Sequence, residues 1–118
     1  MTNDEFNELM ARVMGWRRHR DNTTGIMWWA DTDHDEWTYR ISDWKPAENV
    51  AQAIEAADKY CRDATHANDV SWWELAGPEH KEGYRVLLYC QDEYQEYADN
   101  PALAICKTLL AAVRDEDT

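Results

Sequence analysis

The strongest constraint on this chain is the source of its apolar bulk. It has seven tryptophans and six tyrosines against a single phenylalanine, Phe6. Each large ring removes on the order of 150–250 Å² from water when buried. A chain of 118 residues makes one domain and needs a continuous core. Branched aliphatics are sparse, so the indole rings must supply much of it. Four tryptophans fall within one stretch of residues 14–37, MGWRRHRDNTTGIMWWADTDHDEW. Trp16 and at least one of Trp28 and Trp29 are expected inside. Trp44 stands just before Pro46 and can either staple onto the next helix or face a ligand.

Three segments carry helical periodicity. Thr2 and Glu5 suit a capping box ahead of Phe6, Leu9, Met10, Val13 and Met14, and Gly15 suits the C-terminal cap. Asn49 with Gln52 opens a second helix, whose stripe is Val50, Ala53, Ile54, Ala57, Tyr60 and Cys61 and which ends near Arg62. Asn100-Pro101 opens a third, with Leu103, Cys106, Leu109, Leu110 and Val113 inward and Arg114 in its last turn.

Four runs are β-prone: 26–30, 37–41, 70–76 and 84–90. YRVLLYC, at 84–90, is apolar on both alternating sets except at Arg85, as expected of a central strand covered on both faces. Residues 91–99 fit either an edge strand or a loop. The order α-β-β-α-β-β-α predicts an α+β fold with one mainly antiparallel sheet of about four strands and three helices. A single domain is expected over 1–114, with a frayed acidic tail at 115–118.

Twenty-four acidic residues against 12 basic ones leave a net charge of -12. That balance argues against general nucleic-acid binding and against anionic membrane surfaces. It suits solubility, or a basic protein partner, or mimicry of a nucleic acid. The acidic N-terminus lacks the apolar region of a signal peptide, and no run is long enough to span a membrane, so a cytoplasmic protein is expected. Cys61, Cys90 and Cys106 have neither disulfide nor zinc spacing and are expected as buried free thiols.

Catalytic signatures are missing. No G-x-S-x-G, Walker or dinucleotide-binding motif occurs. His19, His34, His66 and His80 have no zinc spacing. Asp31, Asp33 and Asp35 alternate, but Glu36 and Ser42 stand where a calcium loop needs Gly and Glu. The expectation is a non-enzyme with no metal or cofactor.

Arg12, Arg17, Arg18, His19 and Arg20 form the one basic cluster of an acidic chain. Beside tryptophans it can hold an anionic, ring-bearing ligand through guanidinium contacts and stacking. Lys107 and Arg114 share a face of the third helix and offer, with Arg85, a second anion site. The candidate ligand contacts are therefore Arg17, Arg18, Trp44, Arg85 and Lys107.

Three segments, NELMARVMGW, DWKPAENVAQAIEAADKY and NPALAICKTLLAAV, resemble in order and spacing the signature segments of the phage ABA sandwich domain family. They cover about a third of the chain. The chain departs from the family's usual W-N-P followed by Ser/Thr, with Lys45 and Ala47, and from its Arg after A-I-C, with Lys107. Lysine keeps the charge and loses the bidentate fork. The resemblance implies a small phage or prophage protein with a three-layer α/β/α sandwich. By analogy with small phage proteins that sequester cyclic nucleotide signals, it suggests evasion of host defence. The leading expectation is sequestration of a small nucleotide-derived anion. The alternative is an acidic protein that blocks a host protein or mimics DNA, and an exposed strand edge or aromatic patch would make a homodimer.

Overall fold

The structure, a computed structural model, describes residues 1–31, 36–64, 71–79, 81 and 83–116. Its elements are α1 (Asn3–Val13), β1 (Trp16–Arg20), β2 (Met27–Asp31), β3 (Glu36–Arg40), α2 (Val50–Ala64), β4 (Trp72–Glu79), β5 (Gly83–Cys90), β6 (Asp92–Ala98) and α3 (Pro101–Glu116), with a 3-10 turn at Ile41–Asp43. The α+β class and the three helices match expectation. The single four-stranded sheet does not: there are two separate three-stranded antiparallel sheets, ordered β1-β2-β3 and β4-β5-β6.

Two strands account for the difference. β1 is WRRHR, in which Trp16 is buried and the next four residues are exposed. It shows no apolar alternation because it is an edge strand with one inward anchor. β6 is the acidic, tyrosine-bearing segment, which pairs with β5 along its whole length. At the C-terminus, α3 runs to Glu116 and absorbs the start of the expected tail.

The helix ends follow the capping signals. Thr2 Oγ1 accepts the Glu5 amide at 3.2 Å. Gly15 has φ +80°, and its amide turns back to the Arg12 carbonyl at 2.9 Å, closing α1. Asn49 Oδ1 accepts the Gln52 amide at 3.2 Å, and Asn100 Oδ1 accepts the Leu103 amide at 2.8 Å. Gly83, with φ +79°, starts β5 where a Cβ would collide with the Ala98 carbonyl oxygen.

The helices join the two sheets into one core. α1 contacts α2, α3 and β1, while α3 packs on α2, β5 and β6. Phe6 and Met10 of α1, Ala53, Ala56 and Ala57 of α2, and Ile105, Cys106 and Leu109 of α3 meet Val86 and Leu88 of β5. The alanines let the helix backbones approach closely. Trp16, Trp29 and Trp44 complete the core on the side of the first sheet, so the tryptophans expected inside are inside.

Among the described residues, helices and the 3-10 turn pack on one face of each sheet. On β5, Val86 and Leu88 are buried while Leu87 is half-buried and Tyr89 is 40% exposed. The expectation that β5 is covered on both faces is therefore corrected. Among the described residues no helix or second sheet covers its outward apolar residues, and that side bears on function.

Candidate functional site

β1 lies antiparallel to β2, with Arg17 opposite Ala30 and His19 opposite Trp28. β3 lies on the other side of β2, with Trp37 opposite Ala30 and Arg40 opposite Trp28. Residues directly opposite project to the same side of a sheet. Arg17, His19, Trp28, Trp37 and Arg40 therefore share the outer face. Trp28 to Ala30 is two steps on β2, while Arg40 to Trp37 is three on β3, so the register slips by one residue there. The slip brings Trp37 and Arg40 to one face, although strict alternation would separate them.

The rings on this face form a ladder. Trp28 and Trp37 stack with centroids 5.5 Å apart and planes 30° apart. His19 lies 5.3 Å from Trp37, and the Arg40 guanidinium sits 5.6 Å over Trp28. Trp37 is 47% exposed, and Arg17, His19 and Arg40 are exposed. Among the described residues no ion pair engages Arg17 or Arg40. The buried Trp28 Nε1 has no hydrogen-bond partner among them either.

A concavity of about 410 Å³ opens on the inner side, between the start of α1, β1, β2 and the 3-10 turn. Trp29 and Trp44 line it along with Asn7, Ile41 and Ser42. Its charged residues are Asp4, Glu8 and Glu48 against Arg18 and Lys45. Arg18 lies 3.7 Å from the Glu8 carboxylate and 5.6 Å over Trp29. Carboxylates outnumber cations, so this cavity suits an anion poorly.

The five expected ligand contacts are dispersed. Arg17 is on the outer face of the first sheet. Arg18 is on the opposite face of the same strand and shares the concavity with Trp44. Trp44 is only 1% exposed and belongs to the core; its Nε1 donates to the Asn7 carbonyl at 2.9 Å, and its ring meets Trp16 edge-on at 4.7 Å. Arg85 lies on β5 of the second sheet, between Ala76 and Tyr97, and Lys107 is half-buried on α3. A strand reading of WRRHR would have paired Arg17 with His19 on one face. The contributions of Trp37 and Arg40 depend on the register slip, for which the sequence carries no signal.

Among the described residues no group of three or more His, Cys, Asp or Glu side chains converges. The readings made on Asp33, Asp35, His34, His66 and His80 lie outside the described residues. Cys61, Cys90 and Cys106 are free thiols, and burial pushes Cys61 up to about 11 and Cys106 up to about 12. Such thiols are poor nucleophiles. Among the described residues no helix is long and apolar enough to cross a membrane.

The fold has a counterpart among solved structures. A phage protein from Bacillus cereus ATCC 14579 aligns with a TM-score of 0.58 over 95% of this chain and 92% of its own, at 17% identity. The two chains share an architecture. No family model and no curated protein matches the sequence.

Proposed function

We propose that this chain is a phage-encoded accessory protein that sequesters a small anionic, ring-bearing ligand of the nucleotide class without transforming it. The observation that carries the reading is the outer-face ladder of His19, Trp37, Trp28 and Arg40, with Arg17 beside it. An exposed indole offers a π face to a base, worth about 1–3 kcal/mol. Guanidiniums at the margin offer charge and hydrogen bonds to phosphate. The phage attribution, including kinship with the phage ABA sandwich family and a place in the host cytoplasm, draws on the three helical segments and on the fold shared with the Bacillus cereus protein.

The test is titration of the protein with cyclic dinucleotides and cyclic ADP-ribose isomers, followed by tryptophan fluorescence and melting temperature. Quenching together with a rise in melting temperature is expected from one compound. Trp37→Ala and Arg40→Ala should each weaken binding, read by both signals, by about tenfold or more. Wild-type affinity in both variants overturns the site.

A second reading, engagement of a host protein by an acidic surface, is favoured by exposed Asp92 and Glu93 on the edge strand β6. A host-lysate pull-down at low salt that recovers no partner counts against it.

A further inference from the structure

The outer face of the second sheet is chemically the counterpart of the first. Trp72, Tyr89 and Glu93 form one cross-strand row, and Glu74, Leu87 and Gln95 form the next. Trp72 and Tyr89 stack with centroids 6.0 Å apart and planes 20° apart, and they are 44% and 40% exposed. Glu74 and Glu93 are exposed beside them. Arg85 lies at the other end of the face, one row beyond Leu87. The helices pack on the opposite side, against Val86 and Leu88. One sheet thus presents an aromatic, basic face and the other an aromatic, acidic face.

We propose that the first face of one copy docks on the second face of another, giving head-to-tail self-association. Charge complementarity selects this pairing. A two-fold contact through the first face would set Arg17 and Arg40 against cations, and one through the second would offer Glu74 and Glu93 at best the single guanidinium of Arg85, leaving Arg17 and Arg40 without an acidic partner. First face on second brings the guanidiniums of Arg17 and Arg40 onto Trp72, Tyr89 and the two carboxylates, joining cation–π attraction to ion pairing. Sheets pack face to face about 10 Å apart. Two three-stranded faces bury little area, so the contact is weak and salt-sensitive. Because it is heterologous, it leaves a free face at each end and propagates from copy to copy. It shares the first face with the proposed ligand site but does not rest on ligand binding, which is read separately on dilute protein.

Sedimentation velocity of the full chain, from micromolar to millimolar concentration, tests the inference. Growth of the sedimentation coefficient with concentration, suppressed by salt, is expected. Trp37→Ala/Arg40→Ala and Trp72→Ala/Glu93→Gln should each weaken association by about tenfold or more. An equimolar mixture of the two variants should form a dimer and nothing larger, because one retains the second face and the other the first. Should a double variant fail to fold, the single substitutions Arg40→Ala and Glu93→Gln carry the same test. A wild-type monomer at millimolar concentration overturns the proposal. So does an association that survives in both variants, or a mixture that stays monomeric while the wild type associates.

Discussion

Trp28 and Trp37 stack diagonally across β2 and β3, although neither is the other's register partner. Trp28 is half-buried while Trp37 is 47% exposed, so Trp37 has little of the core to lose. Trp37→Ala should change unfolding free energy by no more than about 1 kcal/mol in urea titrations. The same substitution should weaken nucleotide-class binding by about tenfold or more, given the usual worth of base–aromatic stacking. A large stability loss without any change in binding would assign the ring to structure instead.

Trp44 presents the opposite case. It is enclosed by Trp16 and Tyr39 and tied through Nε1 to the Asn7 carbonyl. The Asn7 side chain in turn accepts the Ala47 amide at 3.0 Å, so α1 and the lead-in to α2 are bound at two points. Trp44→Ala should cost about 3–5 kcal/mol, the range for emptying a large core site. Trp44→Phe should cost less, chiefly through the unpaired Asn7 carbonyl, about 1–3 kcal/mol. Chemical denaturation of both variants checks the order.

The contrast between these tryptophans locates what the sequence made legible. Helix boundaries were legible at Thr2, Gly15, Asn49 and Asn100, because capping chemistry is local and the structure uses each of these residues. The inward stripes were legible from their helical period, except at Val50, which is 38% exposed at the start of α2. The division into two sheets was not. It depends on β1, whose Arg17, Arg18, His19 and Arg20 look like a basic cluster and carry no period-two apolar signal. Arg17 and Arg18 do not share a face because they are adjacent in sequence and therefore point to opposite sides of β1. Arg85 and Lys107 belong to elements packed in the other half of the core, and sequence spacing holds no information about that packing.

The cysteines give a chemical readout of the core. Cys61 and Cys106 are buried, and desolvation is the first cause of their raised values, about 11 and about 12 against the usual 9.0. At pH 8 both remain overwhelmingly thiols in the folded protein. They should react with Ellman's reagent far more slowly in buffer than in urea, while Cys90, which is half-buried, should react sooner. Rapid native labelling of Cys106 would contradict the packing of α3 against β5 and β6.

Alkaline pH should expose one further link. The Tyr94 hydroxyl donates to Asp115 Oδ2 at 2.7 Å, tying β6 to the last turn of α3. That hydrogen bond, with burial and the Asp115 charge behind it, raises the Tyr94 pKa above its ordinary 10.0. A raised pKa means that the stabilisation is complete below pH 10 and fades as pH climbs through the folded value. Tyr94→Phe should therefore destabilise by about 1 kcal/mol at neutral pH, the net worth of a single hydrogen bond. The gap between variant and wild type should narrow as Tyr94 ionises. Stability curves for the pair, taken by urea titration from pH 7 into the alkaline range, measure that gap directly. A constant gap would mean that the hydroxyl contributes no proton-linked stabilisation and that the loss in Tyr94→Phe comes from packing.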